Sequence, residues 1–290
     1  MKKFTFFMFY SIILKKYIEG YFEKMLLCYK TNEILDRSNN ETIYDLYACG
    51  YKLNSQDLFF GSQLTLLGSV NNVIKIACNS SNSLAINDRG ELYSCGYNGY
   101  GQLGLGDTVN RLILIRIGND SNWVDVFCGR YHSLAINDRG ELYSWGDNYY
   151  GQLGLGDILN RLEPTRIGND SNWRKIACGE YHLLAINDRG ELYAWGDNDK
   201  GQLGLGDILN RLEPTQVRNE SNWKEISCGY NHSLAINDRG GLYACGHNNH
   251  GQLGLDDKEN RSTLTRVGNE SNWVEIYAGD FCSFLLKKHE

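Results

Sequence analysis

Residues 137–157 read NDRGELYSWGDNYYGQLGLGD, with five glycines among 21 residues and aspartates close beside them. Residues of these types could do two kinds of chemistry. A glycine-rich backbone can present N–H groups to a phosphate, and clustered carboxylates can hold a divalent cation. The phosphate reading requires a Lys-Ser/Thr pair after the glycines and a helix behind them; GQLGLGD is followed by neither. The calcium reading requires glycine at the sixth loop position and an acid at the twelfth. The loop that starts at Asp197 has Gln202 and Ile208 there. His247 and His250 stand three apart, without cysteines or carboxylates at ligand spacing. His132, His182 and His232 each precede an apolar run at equivalent places, and are expected to make hydrogen bonds at turns or strand edges rather than to act as bases. No Ser–His–Asp arrangement is legible from spacing, because triads are recognised by geometry. The sequence therefore predicts a non-enzymatic protein with no catalytic residue, no metal and no cofactor.

The elements that must position these residues account for their chemical look. GQLGL begins at Gly101, Gly151, Gly201 and Gly251, SNW at Ser121, Ser171, Ser221 and Ser271, and NDRG at Asn87, Asn137, Asn187 and Asn237; every step is 50 residues. A single active site needs its motif once, whereas a motif repeated in register belongs to the architecture. A worn copy, LYACG, lies at residues 46–50, and residues 24–35 resemble half of a further unit. Within one unit, residues 173–179, 182–186, 191–196 and 214–217 read as four short strands with near-twofold periodicity, and no segment has the pattern of a helix. NDRG is the turn between the second and third, its asparagine bonding its own backbone and its glycine taking positive φ. Trp145 and Trp195 are expected to pack within the sheets, with Cys49, Cys95 and Cys245 at the same position in other copies. Four short strands per unit of this length make a β-propeller blade.

Composition narrows the function classes. Of 290 residues, 42% are hydrophobic and 22% charged, the balance of a chain with a packed core. The net charge is −6, and Lys and Arg gather in nothing larger than pairs, which argues against direct nucleic-acid binding. Cys78, Cys128, Cys178 and Cys228 recur at the repeat step and are expected to be small, buried apolar residues in a reducing compartment. Residues 1–23 form an expected apolar extension, with a short packed helix as its expected form. Its apolar run at residues 4–14 is too short to span a bilayer as a helix, and no small-x-small cleavage pattern follows. The expected location is intracellular and cytoplasmic, without membrane attachment; a nuclear location and an N-terminal signal or anchor stay open.

The pattern LYSWG-x-N-x-x-GQLGLGD, a proline-containing strand, then CG-x-x-HSLAI resembles the regulator of chromosome condensation repeat family. The resemblance covers residues 24–287 and implies an all-β propeller. Counting half-units predicts about five four-stranded blades from 50-residue repeats over residues 24–290. The terminal strands are expected to seal the ring, with an open arc as the alternative. Guanine-nucleotide exchange on a Ran-like small GTPase, the role of the family's name-giving member, is one implied function. The constant step leaves no room for that protein's inserted β-hairpin wedge. A family role in ultraviolet sensing requires tryptophans in a slot that holds Arg130, Glu180, Tyr230 and Asp280 here.

The remaining class is a scaffold or adaptor that binds a protein partner, including a substrate adaptor linked to ubiquitin ligation. Near-identical copies expose the positions at which they differ. One pair precedes GQLGL: Gly99-Tyr100, Tyr149-Tyr150, Asp199-Lys200 and Asn249-His250. The other precedes the histidine strand: Arg130-Tyr131, Glu180-Tyr181, Tyr230-Asn231 and Asp280-Phe281. Both are expected to be exposed loop ends, and tyrosine with charge is the chemistry of protein interfaces. The partner-binding candidates are Tyr100, Arg130, Tyr131, Tyr149, Tyr150, Glu180, Tyr181, Asp199, Lys200, Tyr230, Asn249 and His250.

Overall fold

Each repeat folds into an antiparallel meander because its apolar runs are five or six residues long and end in turn residues. The computed structural model describes residues 34–36, 41–48, 65–79, 81–217 and 222–288. The expected extension at residues 1–23 lies outside the described residues, as does the upstream half-unit except for its last two residues. The first sheet contains β1 (Ile34–Asp36), β2 (Glu41–Ala48) and β3 (Thr65–Asn71). The second is β4 (Val73–Cys78), β5 (Asn82–Asn87), β6 (Leu92–Gly96) and β7 (Arg111–Arg116). The third is β8 (Trp123–Cys128), β9 (His132–Asn137), β10 (Leu142–Gly146) and β11 (Arg161–Arg166). The fourth is β12 (Trp173–Cys178), β13 (His182–Asn187), β14 (Leu192–Gly196) and β15 (Arg211–Gln216). The fifth is β16 (Trp223–Cys228), β17 (His232–Asn237), β18 (Leu242–Gly246) and β19 (Arg261–Arg266), and a sixth pairs β20 (Trp273–Ala278) with β21 (Ser283–Lys287). The architecture is an all-β propeller of about five blades. Among the described residues every regular element is a strand, and no helix is long and apolar enough to cross a membrane. No ladder joins β21 to β1, β2 or β3 among those residues.

Strands pair in sequence order within each blade, and the register repeats from blade to blade. Gly196 pairs with His182 on one side and with Arg211 on the other, after a bulge between Ala194 and Gly196. The fourth strand therefore starts at Arg211, three residues before the Pro214 expected to open it. Pro214 fits inside it because β15 is the edge of its sheet, where a missing N–H breaks no ladder. The turn follows its expected chemistry. Asn187 Oδ1 accepts the N–H groups of Arg189 and Glu191, both at 3.0 Å, and Gly190 has φ +76°.

The core lies between blades. One cluster joins Leu134, Ile136, Leu142 and Ile167 of the third blade to Trp173, Ile176, Leu183, Ala185 and Trp195 of the fourth. Each middle strand is thus covered on both faces, and β9, β13 and β17 are buried at every position instead of alternating. The indoles also tie blades together: Trp145 Nε1 donates to Gln102 O at 2.9 Å, and Trp195 Nε1 to Gln152 O at 3.1 Å. Gly154, at φ +70°, lies so close to the next blade that a Cβ there would come within 2.9 Å of Trp195 Nε1.

First strands of successive blades lie side by side, β4 with β8, β8 with β12, β12 with β16 and β16 with β20. β12, β16 and β20 border an open cleft of about 530 Å³ lined in part by Cys178, Glu225, Cys228 and Tyr277. This placement corrects the expected full burial of the repeated cysteines. Cys78 is exposed, and Cys128, Cys178 and Cys228 are half-buried: they end the innermost strands, where each of these three packs against an apolar cluster between blades without being enclosed by it. All the described cysteines are free thiols.

Candidate functional site

The glycine loops are held by their own side chains. Asn148 Oδ1 accepts the N–H of Leu153 at 2.9 Å, while Asn148 Nδ2 donates to Asp157 O at 2.9 Å. Asp157 Oδ1 accepts the N–H of Leu159 at 2.9 Å, and its Oδ2 pairs with Arg161 Nη2 at 2.6 Å. The same set recurs with Asn198, Asp207 and Arg211. Arg161 and Leu159 hold the Asp157 carboxyl below the usual carboxylate range, and Arg211 does the same for Asp207. These carboxylates are engaged in closing their own loops, which explains the repeated Asn, Asp and Arg.

The histidines join blades. His132, His182 and His232 are completely buried. His182 Nε2 lies 3.0 Å from Ser233 Oγ, and His232 Nε2 lies 3.0 Å from Ser283 Oγ. Both serine hydroxyls give their proton to a glutamine carbonyl, Ser233 to Gln202 O and Ser283 to Gln252 O, each at 2.8 Å. The imidazole must then be the donor, so each ring carries its proton on Nε2. In the second blade Asn82 Nδ2 takes the histidine's part with Ser133 Oγ at 2.8 Å. His132 faces the one copy with leucine in the serine's place, Leu183, and neither of its ring nitrogens has a hydrogen-bond partner among the described residues. Burial depresses His132 and His182 to about 3 and His232 to about 4.

The two variable pairs share one end of the blades. The loop after β8 and the loop after β10 meet where Asp147 N donates to Tyr131 O at 2.9 Å. Across blades the first pair of one copy meets the second pair of the next. Tyr100 lies 5.0 Å from Tyr131 between ring centroids, Tyr150 lies 4.9 Å from Tyr181, and His250 lies 5.1 Å from Phe281. Tyr131 and Tyr181 approach within 6.5 Å, and Tyr230 stacks on Phe281 at 5.4 Å. Arg130 pairs with Glu180, places its guanidinium 5.2 Å from the Tyr131 ring centroid, and reaches Tyr230 OH at 3.5 Å. The sequence candidates are therefore assembled into one aromatic and charged face.

They are not equally accessible. Tyr100, Tyr149, Asp199, Asn249 and His250 are exposed. Arg130, Tyr131, Tyr150, Tyr181, Lys200 and Tyr230 are half-buried, and Glu180 is buried at 5% exposure. The expectation of exposed loop ends is corrected for the second pair, whose loops crowd their neighbours near the inner strands. Burial pushes the Tyr181 hydroxyl up to about 12 and raises the carboxyls of Asp147 and Asp197. Sequence reasoning missed Tyr97, which lies 6.2 Å from both Tyr100 and Tyr131, and His247, 5.9 Å from His250. The signal was present, since this position also differs between copies as Tyr97, Asp147, Asp197 and His247.

Comparison with known proteins agrees with the repeat and the propeller fold. A family model described as the regulator of chromosome condensation (RCC1) repeat matches residues 89–136, 139–186, 189–236 and 239–286, and a second model of that repeat matches residues 73–102, 123–152, 173–202 and 223–252. Human WBSCR16 superposes with a TM-score of 0.71 at 24% identity, over 86% of this chain and 70% of that one. Prp20p from Saccharomyces cerevisiae, described with its binding properties to Gsp1p and histones, gives 0.74 at 21% identity over 86% and 67%. Yeast RCC1 (Prp20) bound to Kap60 gives 0.74 at 22% identity over 86% of this chain and 65% of that one. At these identities the likeness is one of fold.

Proposed function

Because the chain belongs to the regulator of chromosome condensation (RCC1) repeat family, we propose that it is an intracellular protein-binding scaffold that holds a partner on the loop face of its propeller. The observation that carries this reading is the continuity of that face from Tyr100 to Phe281. Residues that differ between otherwise repeated copies converge there, in contacts that cross from blade to blade. Tyrosine supplies large contact area at low entropic cost, and its hydroxyl supplies a polar handle. Capture from a cell lysate tests the reading. The Tyr100→Ala/Tyr149→Ala variant, altered at two exposed positions, is expected to lose the partner held by the wild type. Arg139→Ala, at the opposite end of the blades, is expected to keep it. Equal recovery by both variants removes this face from the reading.

A second reading is guanine-nucleotide exchange on a Ran-like small GTPase, favoured by the fold shared with Prp20p. Release of a fluorescent nucleotide from such a GTPase measures it. Acceleration at catalytic concentrations of this protein makes exchange the leading function.

A further inference from the structure

We propose that the cleft between the fourth and fifth blades on this face receives the head group of one lysine or arginine side chain from the protein partner; this rests on the scaffold reading and specifies its chemistry. The cleft has a volume of about 300 Å³ and is lined in part by Tyr150, Tyr181, Tyr230, Glu180, Asp197 and Asp199. Among the described residues no basic side chain lines it. Tyrosine ring faces attract cations, and carboxylates at the same place strengthen that attraction.

The buried carboxylate chooses among occupants. Glu180 is 5% exposed; Arg130 pairs with one of its oxygens, while Oε2 has no hydrogen-bond partner among the described residues. Asp197 is 7% exposed; its Oδ2 accepts an amide N–H from Gln202 at 2.8 Å and its Oδ1 accepts the N–H of Asp199 at 3.4 Å. An anion seated here would meet the carboxylates of Glu180, Asp197 and Asp199, and an apolar side chain would cover Asp197 and Asp199 without supplying a donor. A guanidinium or ammonium donates to the Asp197 and Asp199 oxygens and opposes the charge that the buried Glu180 adds behind them. Lys200 does not fill this role, since it pairs with the exposed Asp199 at 2.7 Å. Beside the cleft the molecule already holds one cation in like surroundings, Arg130 between Tyr131, Tyr230 and Glu180. The proposed occupant repeats that arrangement with a group from outside.

The test titrates the full chain, carrying 13C-labelled tyrosine rings, with n-butylammonium, with N-butylguanidinium and with neutral n-pentanol. Both cations are expected to give saturable shifts of the Tyr150, Tyr181 and Tyr230 ring signals, and the alcohol none. Glu180→Gln is expected to weaken cation binding about tenfold. Asp199→Asn, a rim change on an exposed residue, keeps the test decisive should Glu180→Gln fail to fold, and is expected to weaken binding about threefold. Absence of saturation in the wild type, an equal response to the alcohol, or unchanged affinity in Asp199→Asn overturns the proposal. Lysate capture separates the two ideas. Capture that survives both carboxylate variants ends the cleft proposal and leaves the scaffold standing, whereas absence of any captured partner ends the scaffold reading.

Discussion

His132 and His182 occupy the same slot in successive blades and differ in one contact. His182 donates to Ser233, while the equivalent partner position for His132 holds Leu183 and both of its buried nitrogens are without a partner among the described residues. A buried polar group without a partner costs more than a satisfied one contributes. His132→Leu is therefore expected to raise stability by about 1 kcal/mol, and His182→Leu to lower it by a similar amount. Urea midpoints of the two variants check this, and a loss in both refutes it. Glycines give a second contrast. Gly154 and Gly168 both have positive φ, but a Cβ on Gly168 meets nothing within 4 Å, whereas one on Gly154 meets the Trp195 indole. Gly168→Ala is expected to cost about 1 kcal/mol of backbone strain, and Gly154→Ala about 1–3 kcal/mol more. The hydrogen-bonding role was legible for His182 and His232 and is corrected for His132, whose ring has no partner among the described residues. Their partners were not, because each lies 51 residues away in the next blade, and spacing within one repeat carries no record of it.

At the scale of the blade, the tryptophan slot is coupled to the edge strand. Where the third strand has Trp145 or Trp195, the fourth has Pro164 or Pro214; where it has Cys95 or Cys245, the fourth has Leu114 or Leu264. Gly204 shows the physical link, since its absent Cβ would lie 3.1 Å from both Cys245 Sγ and Leu264 Cγ. The leucine occupies space beside the smaller residue. Trp195→Cys alone is expected to cost about 3–5 kcal/mol through the cavity it leaves. Pro214→Leu in that background is expected to restore at least about 1 kcal/mol, and a double-mutant cycle measures the coupling. Additive effects would show that the pairing is incidental. The strands themselves were legible from their length and turn residues. The start of the fourth strand was not, because Arg211 is placed by its pairing with Gly196 across a bulge, while Pro214 only marks an edge position.

The whole molecule responds to acid through its buried imidazoles. Burial holds His132 and His182 to about 3 and His232 to about 4, against about 6.5 in an unfolded chain. The unfolded chain therefore takes up these protons first as pH falls. Stability is full above about pH 6.5 and is lost progressively toward the folded values. Asp157 and Asp207, held low by Arg161 and Arg211, add losses of the same sign below about pH 4. Asp147 and Asp197, raised by burial, act in the opposite sense over the carboxylate range. Urea midpoints across pH 8 to 4 are expected to decline below about 6.5, with a slope near three protons at pH 5 that falls by about one for each His→Leu change. A slope indifferent to all three histidines would refute this assignment. On the functional side, the variable pairs were legible as differences between copies. Their assembly into one face was not, because it depends on how each blade seats against the next, and Glu180 became buried for that reason.

Those seats have a consequence for how the chain folds. The contacts that join one blade to the next are built from the same groups repeatedly: an indole on a glutamine carbonyl, an imidazole on a serine hydroxyl. Interfaces that share so many groups specify the correct neighbour only through their few exceptions. Folding can begin in any of the repeated blades and spread from there, and two growing segments can dock with one whole repeat skipped or borrowed from another chain. Refolding is accordingly expected to be multiphasic, with a slow, concentration-dependent phase that removes misjoined species. The exceptions, Asn82 in the imidazole's place at one junction, Leu183 in the serine's place at a second and Cys245 in the indole's place at a third, give the assembling chain marks by which its order can be kept.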